Sequence, residues 1–217
     1  MSNRPAFSRR RFIRLSRWVV PLHFANRSSL LGFQAGDKFQ DDFGKPRDTW
    51  RVVSGQWHWQ SGVLEQTELK REVAILELTR DVAQSFQART RLRILNGPTY
   101  RSAGILFGYR DSNNYAGVYV TSVSTDTEPF GPKVQLFYRE QGRYQYPPVR
   151  ASFDVTNGKW YWLELRVTAR RLEVSVDRKP VLDSGLTPLA GNRLALFAFD
   201  SHVEFDQFEM TGHNQAG

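Results

Sequence analysis

From Asp37 onward, apolar and polar residues alternate with a period close to two, and turn-forming residues interrupt the alternation at short intervals. FQARTRLRIL (86–95) shows it most plainly. Ala88, Thr90, Leu92 and Ile94 fall on one face, and Gln87, Arg89, Arg91 and Arg93 on the other. That is the pattern of a strand in a sheet with one wet side. EVAILELT (72–79) alternates too, with Val73, Ile75 and the residues after them able to share a face. TWRVVSGQWHWQSGVLEQ (49–66) predicts two short strands around a turn at Gln60-Ser61-Gly62. AGILFGYRDSNNYAGVYVTS (103–122) predicts a hairpin turning at Asp111-Ser112-Asn113-Asn114, where short polar side chains bond the local backbone. KVQLFYREQGRYQYPPV (133–149) predicts another, turning at Gln141-Gly142.

WYWLELRVTARRLEVSVDRKPVLDS (160–184) reads as three strands, with turns near Ala169-Arg170 and Asp177-Arg178. NRLALFAFDSHVEFDQFEMTG (192–212) reads as two more. No helical stripe and no repeat of propeller length emerges. About a dozen strands must pack as two sheets or close up, so an all-β antiparallel sandwich over residues 37–217 is expected.

Charge divides the chain. Its net charge is +8, yet residues 1–36 hold seven arginines and no acidic residue, leaving 23 basic against 22 acidic residues in the body. The body therefore lacks the basic excess of a phosphate-tracking surface, and no nucleic-acid partner is expected. Residues 1–36 read as a basic, non-globular leader. SRRRFIR (8–14) fits the twin-arginine export pattern S-R-R-x-F-apolar-basic, which predicts an exported, periplasmic or extracellular protein. A plain basic tail and an organellar transit peptide are the alternatives, because the following segment is interrupted by Arg17, Pro21, His23 and Arg27. No apolar run approaches the ~18 residues of a transmembrane helix. Cysteine is absent, which rules out disulfides and thiolate metal sites.

Several stretches together resemble the laminin-G-like, concanavalin A-like jelly-roll family. More narrowly, they resemble its bacterial branch related to 3-keto-disaccharide hydrolase domains. The opening is similar: FQDDF, then W-x-V-x-x-G-x-W, then G-V-L, carried here by Asp41, Asp42, Phe43, Trp50, Val52, Gly55, Trp57, Gly62, Val63 and Leu64. SAGILFGYRDSNNYAGVYV resembles the central hairpin of that group. KWYWLELRVTARRLEVSVDRKPVLD resembles its W-Y-x-L-x-V and V-x-V-D-G-K-x-V segment, with Arg178 where a turn glycine is usual, which suggests a slightly different turn. The last two strands are similar as well. The resemblance implies a two-sheet jelly roll, a fold that hosts lectins, hydrolases, lyases and adhesion modules.

HVEFDQFEM (202–210) has the E-x-D-x-x-E spacing of Glu204, Asp206 and Glu209, which resembles the catalytic strand of laminarinase-like endoglucanases. Its apolar residues split by parity: Val203 and Phe205 share one, Phe208 and Met210 the other. One extra residue near Asp206-Gln207 would bring all four inward, so a β-bulge is expected there. Retaining glycoside hydrolysis needs carboxyl groups ~5–5.5 Å apart in a cleft. Nothing flanking the strand supplies such a cleft, and a solvated acidic face is the expected role. A peripheral Ca²⁺ site with Asp41 or Asp42 is the lesser alternative. His58, His202 and His213 show no metal-ligating spacing, and no metal site is predicted.

The central hairpin is the better candidate for ligand binding. With Ile105 and Phe107 turned inward, Gly104, Leu106, Gly108 and Arg110 face out. With Ala116, Val118 and Val120 inward, Tyr115, Gly117 and Tyr119 face out, and Gln135, Phe137 and Arg139 continue the patch on the next strand. Glycines let a ligand approach the backbone, tyrosines stack on sugar rings, and arginine donates paired hydrogen bonds. Arg110, Tyr115, Tyr119, Gln135 and Arg139 are therefore the candidate ligand-binding residues, for a carbohydrate or glycoconjugate. A 3-keto-glycoside hydrolase-like enzyme and a laminin-G-like protein-interaction module are the rival readings.

Overall fold

A computed structural model describes residues 36–70 and 72–213. The arginine-rich leader, including SRRRFIR, lies outside these residues apart from Gly36. All regular structure among the described residues is strand. In chain order the strands are β1 (Lys38–Asp41), β2 (Trp50–Ser54), β3 (Trp57–Gln60), β4 (Val63–Gln66), β5 (Val73–Leu78), β6 (Ser85–Asn96), β7 (Ser102–Asp111) and β8 (Asn114–Thr121). They continue as β9 (Lys133–Glu140), β10 (Arg143–Gln145), β11 (Arg150–Ser152), β12 (Tyr161–Val167), β13 (Arg171–Val176), β14 (Lys179–Gly185), β15 (Arg193–Phe199) and β16 (His202–His213).

They form two eight-stranded antiparallel sheets packed as a jelly-roll sandwich. The first runs β14-β13-β12-β6-β16-β4-β3, with β1 also on β16. The second runs β10-β9-β8-β7-β15-β5-β2, with β11 also on β9. The count exceeds a dozen because several strands are only three or four residues long. The tryptophan-rich segment also divides further than alternation suggests. β2 belongs to the second sheet while β3 and β4 belong to the first. Gly55 makes the crossing: its φ is +89°, and a Cβ there would stand 2.4 Å from that of Ala74.

The interior fills from both sheets. Leu92, Phe205 and Phe208 of the first meet Ile105, Phe107 and Leu196 of the second in one buried cluster. Full burial of such a side chain contributes about 1.5–3 kcal/mol. Trp50 packs its ring against Phe39, Phe43 and Phe208, at centroid distances of 6.2, 5.8 and 5.2 Å. Its indole N–H donates to Asp41 Oδ2 at 2.9 Å, and Asp41 Oδ1 accepts from the Phe43 amide at 2.9 Å. The acidic-Phe opening is thus a clasp that holds Trp50. The buried Asp41 carboxylate is engaged in that clasp, with Arg47 at 3.5 Å, rather than turned out toward a cation.

The β-bulge in the last strand is present. Phe205 pairs with Leu92 and Gln207 with the adjacent Arg91, so Asp206 is the extra residue. Val203, Phe205, Phe208 and Met210 are all buried as a result. The bulge also divides β16 between two neighbours on one edge: β4 takes Val203–Phe205, and β1 takes Phe208–Thr211. At the hairpin between β13 and β14, Asp177 and Arg178 both have positive φ, 50° and 66°. A type I′ turn needs that sign at both central residues, so the chain makes such a turn here without a glycine.

Candidate functional site

Outward residues of the second sheet line up across its strands. One row reads Arg150 (β11), Gln135 (β9), Tyr119 (β8), Gly104 (β7), Phe197 (β15) and Ile75 (β5). The next reads Phe137, Gly117, Leu106, Ala195 and Glu77. These strands are apolar on both faces, so this sheet carries a second hydrophobic cluster outside the main core.

Phe137 is the hub of that cluster. Its ring centroid lies 5.6–6.2 Å from the rings of Tyr115, Tyr119, Tyr144, Tyr146 and Phe197. A Cβ on Gly117 would stand 2.4 Å from the Phe137 ring, so this glycine gives room to a side chain rather than to a ligand. Tyr144 and Tyr146 follow the β9–β10 turn and stack on each other, 6.2 Å apart. Both stay exposed, Tyr146 at 58 %.

Between these rings the surface opens into a cavity of about 580 Å³. Tyr119, Gln135, Phe137 and Phe197 form its floor; Tyr144 and Tyr146 stand at one side. Tyr100, Ser102, Phe199 and Val73 line the opposite end. Thr127 and Glu128, from the β8–β9 connection, and Arg150 complete the wall. The Lys133 side chain is 1 % exposed and forms an ion pair with Glu128, which ties this connection to the sheet. The Arg150 guanidinium sits 3.3 Å over the Phe130 ring. Tyr119 donates its hydroxyl hydrogen to Gln135 Oε1 at 2.8 Å. Burial pushes the Tyr119 hydroxyl well above the usual tyrosine range, so it remains neutral.

Of the five residues singled out from the sequence, Tyr119 and Gln135 line the cavity. Tyr115 and Arg139 pair with each other in the adjoining row, beyond Phe137. Tyr115 is almost fully buried, and Arg139 stacks over Tyr144 at 4.9 Å. Arg110 lies outside the lining and pairs with Asp111 at 3.1 Å. The cause is a break in alternation. Gly108 takes φ +56°, the pairing slips between Phe107 and Asp111, and Tyr109 rather than Gly108 joins the outer cluster, stacked on Tyr115 at 5.9 Å. Tyr146, Phe197, Tyr100, Glu128 and Arg150 were not singled out from the sequence. For Phe197 there was a signal, the run LALFAF, apolar on both parities, which marks a strand covered on both sides.

The acidic strand lies on the opposite outer face, and its carboxylates are matched one by one. Arg89 donates to both oxygens of Glu209, at 3.0 and 2.8 Å. Arg91 donates to Asp206 at 2.8 Å, and Arg93 to Glu204 at 2.5 Å. Trp160 stacks on Arg91 and Arg93, and Trp162 on Arg89, at 4.6–4.9 Å. Asp206 titrates above the ordinary aspartate range, because burial outweighs the neighbouring arginines. His202 is hydrogen-bonded to Glu65 at 2.6 Å. Among the described residues, no three His, Asp or Glu side chains are grouped to hold a metal ion.

No protein-family model matches the chain, and no curated protein matches its sequence. Solved structures do share its fold. The carbohydrate binding module CBM66 from Bacillus subtilis aligns with a TM-score of 0.65 at 15% identity, over 76% of this chain and 96% of that one. A Bacillus subtilis protein of unknown function with a galectin-like fold aligns with a TM-score of 0.65 at 8% identity, over 84% and 99%. A GH43 protein from Bacillus licheniformis aligns with a TM-score of 0.63 at 15% identity, over 80% of this chain, but the match spans only 39% of that longer protein. At these identities the likeness establishes a shared sandwich fold.

Proposed function

We propose that this sandwich is a carbohydrate- or glycoconjugate-binding module that seats a sugar in the aromatic cavity of its second sheet. The observation that carries the reading is the composition of the cavity: six tyrosine and phenylalanine rings around the Tyr119–Gln135 pair, open to solvent beside Tyr144 and Tyr146. Aromatic faces stack on the C–H faces of sugars while hydroxyl and amide groups fix their orientation. The fold shared with a carbohydrate binding module supports the same reading. Glu128 is the one carboxylate of the lining, and Lys133 holds it. Hydrolysis by a pair of carboxylates finds no second partner among those lining residues.

Glycan-array screening of the full chain tests the proposal. Tyr146→Ala removes an exposed ring and is expected to weaken binding about three- to tenfold with the fold intact. Tyr119→Phe keeps the ring but removes the hydroxyl that orients Gln135. Undiminished binding by both folded variants would remove this site. Turnover in a parallel 3-keto-glycoside hydrolysis assay would instead favour the hydrolase-like reading. We also propose export through the SRRRFIR segment, tested by whether Arg9→Lys/Arg10→Lys blocks translocation of a fused reporter.

A further inference from the structure

We infer that the sugar recognised by this cavity is acidic, bearing a carboxylate or a sulfate. The inference rests on the reading that the cavity holds a carbohydrate. Its basis is which polar groups remain unspent around the opening. The Glu128 carboxylate is matched by the buried Lys133 ammonium. The Gln135 oxygen already accepts from Tyr119, so the free end of that amide is its NH₂ donor. Arg150 occupies the register position beside Gln135, in the same row, and its guanidinium rests on the Phe130 ring. Arg139 stacks on Tyr144 and donates to the Gly142 carbonyl at 3.3 Å. Among the described residues, no carboxylate lies within ion-pair distance of either arginine.

The charged and amide groups left for a ligand are therefore donors: Gln135 and Arg150 in the lining, and Arg139 outside it, behind the Tyr144 ring. Ring stacking also holds both guanidinium planes ready for a flat, two-oxygen acceptor. The outer face of the first sheet differs: there Arg89, Arg91, Arg93 and Arg171 all have carboxylate partners. Gln135 and Arg139 are separated by about 13 Å of strand. A saccharide carrying repeated negative charges could meet Arg150 and Arg139 together.

Titration calorimetry on the full chain, at fixed ionic strength, provides the test. The probes are polygalacturonate, its methyl-esterified form, dextran sulfate and dextran. Binding of one anionic polymer at least about tenfold tighter than that of its neutral counterpart is expected. The anionic polymer that binds distinguishes carboxylate from sulfate. Arg150→Gln should remove most of that preference and Arg139→Gln part of it, with circular dichroism unchanged. Equal affinity for charged and neutral polymers would overturn the inference and leave the sugar-binding reading standing. A preference that survives in the double variant would also overturn it, locating the attraction in the basic residues 1–36. Binding of no glycan, on these probes and on an array, would bring down both.

Discussion

The outer faces of the two sheets rest on the same pleated lattice, yet they differ in what they leave unfinished. On the first sheet, β6 presents Arg89, Arg91 and Arg93 to Glu209, Asp206 and Glu204 of β16, and two tryptophans cover the arginines. Every charge in that ladder finds its opposite on the neighbouring strand. On the second sheet, rings take the place of charges, and the cations at the rim lack carboxylates. A face whose polar groups satisfy one another offers a ligand little, since binding must break existing pairs. A face with a hollow between rings and unspent donors offers both area and direction. Acidic spacing alone suggests chemistry on the first face; the arginines opposite remove it.

Phe137→Ala breaks the comparison most severely. The Phe137 side chain is 3 % exposed and touches five other rings, so its loss is expected to cost about 3–5 kcal/mol in urea denaturation and to abolish glycan binding. The ladder should behave differently. Arg89 is 41 % exposed along its side chain, and solvent screens its pairing with Glu209. A double-mutant cycle over Arg89→Ala and Glu209→Ala is expected to give a coupling of about 0.5–1 kcal/mol that shrinks with added salt. A coupling as large as the Phe137 effect would mean that the charged face, not the aromatic one, organises the fold.

Local periodicity made much of this legible in advance. The bulge at Asp206 followed from four apolar residues of split parity, because burial of all four leaves one arrangement. The inward faces of β6, β7 and β8 followed for the same reason. Two kinds of feature did not follow. Backbone departures such as the left-handed Gly108 reverse the faces beyond them, and they moved Arg110 away from the cavity. Contacts that close over long sequence separations were also hidden. Nothing near Glu128 announces that it pairs with Lys133, and nothing near Arg150 announces that β11 returns to Gln135. The part of the floor built by Tyr119, Gln135 and Phe137 was therefore readable, and the walls were not.

The smallest effect isolates the bulge. Asp206 is the residue inserted there, and burial raises its carboxyl above the unfolded value despite Arg91 at 2.8 Å. The native state consequently holds this proton more tightly than the unfolded chain does. Stability must then fall as pH rises through the interval between the ordinary aspartate value and the raised one. Asp111 and Asp183 are shifted the opposite way, by hydrogen bonds from Asn114 and Arg171, and they lose stability as pH falls. Comparing Asp206→Asn with the parent cancels both of those contributions. The difference in unfolding free energy should move in favour of the asparagine variant as pH increases through that interval, then level off. A flat difference across the whole acidic range would show that Asp206 ionises in the fold as readily as in water, and that the bulge leaves its side chain as solvated as an ordinary surface acid.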